Sequence, residues 1–260
     1  MRTWLILPFA SLLATSAHAA GPEAGRWSMS LVGGVDVPVN GDVHDGATVV
    51  IPDLGPLNPD LAGVDAELRI GARGHDRIYD TAGTVGLEVA YAPSDRTEIF
   101  GQVRRTEADD GMVQVGGAYV PALDTELPVY GTFEDYSALS AEVGYRMYFG
   151  TAGTARPFVG ARIGATRVDE IRATFEIPAA AITIPDAPFY DSGWVASGGL
   201  DVGVIVPFGE TFSMTLASGV RYTADLKDDD SAIDGLGLAS INDTGSRFSV
   251  PVTLSARWDF

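Results

Sequence analysis

The sequence has no cysteine among its 260 residues, which excludes disulfides, thiolate nucleophiles and zinc–cysteine sites. Bases are scarce, with 17 Lys and Arg against 35 Asp and Glu for a formal net charge of −18. A surface of that sign repels phosphate, so no nucleic-acid partner is expected. Lysine is almost missing, since Lys227 is the single one, and histidine is limited to His18, His44 and His75. No stretch supplies the ~20 apolar residues that a membrane-spanning helix needs. Apolar residues themselves are plentiful at 46% of the chain, and glycine occurs 31 times. That composition belongs to a folded protein, not a disordered one.

The first residues read as an address. Met1-Arg2-Thr3 is a short positive head, residues 4–14 are an apolar run, and Ala17 and Ala19 frame a small-residue cleavage site. Residues 1–19 are therefore expected to be a signal peptide directing export, leaving 20–260 as a single domain.

Beyond that point the hydrophobic pattern has a period of two. Phe248, Val250, Val252, Leu254, Ala256, Trp258 and Phe260 alternate with polar neighbours, as do Leu139, Ala141, Val143, Tyr145, Met147 and Phe149. Such alternation marks strands with one apolar and one polar face. Eight are expected, at 26–38, 82–92, 96–106, 135–149, 156–168, 192–207, 211–224 and 246–260. Their connections alternate strictly between short and long, the long ones being about 39–81, 107–134, 169–191 and 225–245. A β-sandwich has no reason to sort its connections so; an up-and-down barrel inserted across a membrane does, with tight turns on one side and long loops on the other.

Each candidate strand reaches the ~9–11 residues that a tilted strand needs to cross hydrocarbon. Aromatics gather at strand ends, with Trp27, Tyr91, Phe149, Phe208, Phe212, Trp258 and Phe260 at the turn side and Tyr136, Trp194, Tyr222 and Phe248 at the loop side. Paired belts of this kind suit the two membrane interfaces. On the opposite face the register gathers Glu88, Glu98, Arg104, Glu142, Arg146, Arg162, Asp201, Arg221, Arg247 and Arg257 in a narrow lumen. Outside the long loops the mature chain holds 12 acids and 11 bases, a near-balance that suits ions buried together. This network reads either as a salt-bridged plug or as a gate whose ion pairs exchange. The four loops at 39–80, 107–133, 170–191 and 225–244 hold 23 acids and 5 bases, an acidic outer crown.

The alternating last strand, ending in Phe260 with Trp258 two positions before it, resembles the terminal signature of Gram-negative outer-membrane β-barrels, and the loop order resembles their eight-stranded members, such as the transmembrane domain of outer membrane protein A. The resemblance covers the mature chain. It implies an all-β antiparallel barrel with short periplasmic turns and long extracellular loops. It also implies residence in the outer membrane, contact with lipid and lipopolysaccharide, and recognition of Trp258 and Phe260 by the barrel-assembly machinery. The sequence ends at its last strand, so the family's periplasmic peptidoglycan-binding domain is not expected. Two loop stretches stand apart. Val64, Ala66, Leu68, Ile70 and Ala72 alternate with polar residues, and 112–120 is also extended. They are expected to be hairpin extensions above the membrane, with two further spanning strands in a ten-stranded barrel as the alternative.

Catalytic motifs are missing. Only His44 and His75 follow the signal peptide, both expected as exposed loop residues. There is no P-loop, G-x-G-x-x-G or H-E-x-x-H. No catalytic, cofactor-binding or resident metal site is expected. The acidic run 225–230 lacks the ligand spacing of an EF-hand, leaving a solvated loop or weak divalent-cation contact. The expected role is structural or surface-interacting, with a narrow solute channel as the alternative and a surface enzyme third.

Overall fold

The computed structural model describes residues 21–109, 111–239, 241–243 and 246–260; the expected signal peptide at 1–19 lies outside them. Eight long strands form the frame: β1 Trp27–Asn40, β2 Ala82–Ser94, β3 Thr97–Ala108, β4 Tyr136–Tyr148, β5 Arg156–Val168, β6 Gly193–Pro207, β7 Phe212–Thr223 and β8 Arg247–Asp259. Every one falls within two residues of its sequence expectation. Each pairs antiparallel with its sequence neighbours, and β1 pairs with β8 to close the barrel. Closure removes the edges an open sheet would expose. At the short turns, Gly150, Gly153 and Gly209 hold φ of 87°, 83° and 127°, which a side chain would resist.

The two faces of the barrel are inverted relative to a water-soluble protein. Along β2 and β3 the burial alternates residue by residue, with Val85, Leu87, Val89, Ile99 and Val103 on exposed positions and the exposed Arg105–Glu107 pair only at the loop end of β3. Leu87 is 58% exposed, Leu200 65% and Ile163 70%, each in mid-strand. A continuous apolar wall of this kind is stable against hydrocarbon rather than water. Aromatic pairs mark its borders, with Trp27 and Tyr91 centroids 5.1 Å apart and Phe212 and Trp258 5.5 Å apart at the turn side, and Tyr222 and Phe248 5.3 Å apart at the loop side. Tyr136 departs from its expected place in that belt. It shares a strand face with Ala138, Ser140 and Glu142 and is buried inside, because period two assigns it to the lumen.

The long loops are not separate hairpins. Seven segments, Ala47–Ile51, Ala66–Ile70, Gly111–Val120, Thr125–Phe133, Ile171–Ile177, Ile182–Asp191 and Lys227–Asp228, form one sheet to which all four loops contribute. Ala66–Ile70 pairs with Ala47–Ile51 on one side and with Gly111–Val120 on the other. The ten-stranded alternative is therefore excluded, since neither extended stretch enters the barrel. This sheet packs its own core around Val43, Leu54, Phe133, Ile171 and Phe189, which continues down to Tyr79 and Tyr136 at the barrel mouth. His44 and His75, expected as exposed, are 2% and 5% exposed. His44 stacks on Phe133 with centroids 6.0 Å apart, and His75, opening the one-turn helix His75–Ile78, stacks on Tyr79 at 5.9 Å. They are buried because the loops fold together rather than standing free in solvent. Burial pushes both imidazoles below their ordinary pKa, His75 the further, and the Arg247 charge adds to the shift at His75.

Candidate functional site

The lumen is the place where ionisable side chains converge. Strand alternation turns Glu88 of β2, Glu98, Gln102 and Arg104 of β3, Glu142, Arg146 and Tyr148 of β4, Arg162 of β5, Asp201 of β6, Arg221 of β7 and Arg257 and Asp259 of β8 inward. Glycines opposite them make room for long side chains. Gly199 faces both Arg162 and Arg221 across its two neighbouring strands. A Cβ there would sit 2.4 Å from the Val220 carbonyl oxygen and 2.9 Å from the Arg221 guanidinium. Gly144 likewise faces Phe100, whose ring would lie 2.2 Å from a Cβ.

The ions form a continuous ladder along the barrel. At the turn end the Arg257 guanidinium lies 2.7 Å from Asp259 and 2.5 Å from Glu98, which also accepts from the Tyr148 hydroxyl at 2.7 Å. Arg146 lies 3.4 Å from Glu98 and donates to both oxygens of Glu88, at 2.6 and 2.5 Å. Gln102 then bridges the two halves, donating to Glu88 at 3.0 Å and accepting from Arg162 at 2.7 Å. Arg162 contacts Asp201 at 2.7 Å and Glu142 at 3.2 Å. Asp201 also holds the Arg221 guanidinium at 2.7 Å, as an ion pair rather than an aligned hydrogen bond. The Phe100 ring is wedged between the two central arginines, 3.9 Å from the Arg146 guanidinium carbon and 5.0 Å from that of Arg162.

Every carboxylate in this ladder is at most 4% exposed. Buried charge is tolerable only when it is paired and hydrogen-bonded. Arginine suits the task because its planar fork reaches two acceptors at once. At the turn end the lumen is further closed by the leading segment. The Gly21 amide donates to Asp259 at 2.9 Å, and Arg156 donates to the Asp95 and Pro22 carbonyls at 2.5 and 3.4 Å.

Eight of the ten ionic residues expected from the register thus join one network. The other two lie towards the loops. Arg104 is 6% exposed and its Nε has no hydrogen-bond partner among the described residues, and Arg247, half-buried, lays its guanidinium 4.0 Å from the centroid of Tyr136. A cavity of about 300 Å³ lies among Arg104, Arg221, Arg247 and Tyr136. Gln102, Tyr148, Phe100 and Asp259 stand outside the sequence expectation, although the same period-two register turns them inward. The first three carry no charge and Asp259 sits at a strand end, so a search for mid-strand ions passes over all four. Trp258 points outward beside Phe212, while Phe260 exchanges backbone hydrogen bonds with Trp27 at 2.9 and 3.2 Å across the closing seam. Among the described residues, no group of three or more His, Asp or Glu side chains comes together as a metal-binding set.

No protein-family model matches the chain, and no curated protein matches it. Among solved structures it is similar to Neisserial surface protein A, at 10% identity and a TM-score of 0.43, covering 91% of this chain and 98% of that one. It is similar to the attachment invasion locus protein Ail of Yersinia pestis, at 11% identity and a TM-score of 0.41, covering 92% and 100%. A third is the N-terminal β-barrel domain of Pseudomonas aeruginosa OprF, at 10% identity and a TM-score of 0.37, covering 91% and 98%. By its own closed eight-stranded meander, apolar outer wall and ionic lumen, this chain has the architecture of a small outer-membrane β-barrel.

Proposed function

We propose that this is an integral outer-membrane protein whose lumen is closed to solutes and whose working surface is the folded loop sheet, giving it a structural and surface-interaction role. The observation that carries the reading is the unbroken ladder from Asp259 through Arg257, Glu98, Arg146, Glu88, Gln102 and Arg162 to Asp201 and Arg221. An eight-stranded barrel is only wide enough for its interior to be filled by side chains, and here they are locked to one another. On this reading residues 1–19 direct export, the short turns lie in the periplasm, and Trp258 and Phe260 are read by the barrel-assembly machinery. The role involves no catalytic step.

The loops supply the outer face. With 23 acids against 5 bases they would repel the phosphates of lipopolysaccharide, so divalent cations bridging the two are part of this reading. Chelation with EDTA is then expected to loosen the loops, seen as faster proteolysis of the loop sheet in lipopolysaccharide-containing membranes; unchanged proteolysis would remove the cations from the account.

A second reading, a narrow channel for small solutes, draws on the polar cavity of about 460 Å³ that runs beside Glu88, Gln102, Arg146 and Arg162. Planar-bilayer recording separates the two. The closed-lumen reading expects no reproducible unit currents from the refolded protein. Unit currents that change in Arg162→Ala or Glu142→Ala would establish the channel instead.

A further inference from the structure

The loop sheet encloses a second cavity, remote from the ionic ladder. It holds about 700 Å³ of empty space counted out to and including its open mouth. Its depth is apolar, formed by Leu54, Leu68, Val115, Val129, Ile182 and Phe189. Leu57, Ile184, Leu236 and Glu176, all half-buried, belong to the rim.

One polar group breaks the apolar depth. His44 lines the cavity and is 2% exposed, held between the face of Phe133 and the edge of Phe189. Its Nδ1 lies 3.0 Å from the Asp45 carbonyl oxygen, which can only accept, so Nδ1 carries the proton and donates. Nε2 is then an acceptor, and among the described residues it has no partner. Burial keeps the ring neutral by lowering its pKa, so the second nitrogen stays an acceptor at neutral pH.

A buried acceptor without a donor is costly, and native structures seldom leave one so. Water is a poor answer, because an ordered internal water needs about two to four polar partners and, among the described residues, His44 is the one fully buried polar side chain in the cavity's lining. A molecule with an apolar body and a single hydroxyl meets both demands at once. We propose that this cavity is a binding site for a small lipophilic alcohol, its hydroxyl donating to His44 Nε2 and its body packed against Leu54, Val115 and Phe189. The site stands independently of whether the lumen conducts.

The test uses the full chain refolded in lipid nanodiscs with 15N-labelled histidine. Two probes of matched shape are 4-methylcyclohexanol and 1,4-dimethylcyclohexane, titrated against empty nanodiscs to subtract partition into lipid. The alcohol is expected to bind saturably and about tenfold more tightly than the hydrocarbon, the worth of one hydrogen bond. The His44 Nε2 resonance is expected to move upfield with the alcohol alone, with His75 unmoved. His44→Leu is expected to bring the two probes to equal affinity. Leu54→Trp, which fills the cavity without touching the acceptor, is expected to abolish both titrations and decides the matter should His44→Leu fail to fold. Equal affinities in the native chain, uptake no greater than in empty nanodiscs, or binding that survives Leu54→Trp would each overturn the proposal.

Discussion

The molecule has two interiors built on opposite rules. Inside the barrel, carboxylates and guanidiniums are packed to a few per cent exposure while leucines, valines and isoleucines face outward. In the loop sheet Val43, Phe133, Ile171 and Phe189 are buried and the acids face outward. One chain uses the same antiparallel strands, with the same period of two, for both. The difference lies in the surrounding solvent, since apolar surface is stable against lipid and polar surface against water. Net charge divides the same way. The loops carry almost all of it, while the barrel balances acids with arginines because an unmatched ion in its lumen has no water to retreat to.

The contrast can be broken most forcefully in the lumen. Arg162→Ala takes the arginine from Glu142 and leaves Asp201 with Arg221 alone, and is expected to cost about 3–5 kcal/mol, read as a lower urea midpoint for loss of heat-modifiable gel migration. Leu200→Arg, at mid-strand on the outer wall, is expected to cost about 2–4 kcal/mol in a bilayer. The loop-sheet counterpart is Arg172, which pairs with Glu170 at 2.6 Å and Asp186 at 2.7 Å but is one-third exposed. Arg172→Ala is expected to cost about 0–1 kcal/mol in the same assay. Equal losses at Arg162 and Arg172 would mean that the lumen is wet.

Acid sharpens the comparison from the other side. The two loop histidines are neutral and depressed in the folded state, so the unfolded loops bind more protons than the folded sheet once the pH falls below the ordinary value of 6.5. Their contribution is therefore full above that value and is lost as the pH drops through it. Hydrogen exchange, corrected for intrinsic rates, is expected to quicken in the loop sheet between about pH 7.5 and 5 while the barrel amides hold. His75→Phe is expected to flatten the dependence. Asp53, whose carboxylate is held below its usual range by the Gly55 and Gly63 amides, acts only at lower pH and leaves that window clear.

The barrel is legible in the sequence to within two residues at every strand, and the physical reason is local. Each spanning strand must meet lipid on one side by itself, so its pattern can be read without knowing its partners. Val85, Leu87 and Val89 against Gly86 and Glu88 declare the two faces of β2 within five positions. The same register finds eight members of the ladder, but it passes over Gln102 and Tyr148 because they carry no charge. In the loop sheet the extended stretches at 64–72 and 112–120 are legible by the same alternation, but their pairing across loops is not, for the converse reason. The pairing of Ala66–Ile70 with Gly111–Val120, and of Ile171–Ile177 with Thr125–Phe133, joins different loops. Nothing within either partner announces such a pairing, and Leu54 and Ile233 join the core from segments without periodicity.

The absence of cysteine makes the decisive measurement clean. Single cysteines at Val85, Gly86, Leu87, Glu88 and Val89 on β2, and at Met112, Gln114 and Val115 in the loop sheet, can be spin-labelled in lipid bilayers and their collision rates with oxygen and with a water-soluble nickel chelate compared. Oxygen is expected to reach 85, 87 and 89 while the chelate does not, and the chelate is expected to reach 112 and 114 but not 115. Chelate access to 85, 87 and 89 would put water against the apolar wall and contradict its placement in lipid.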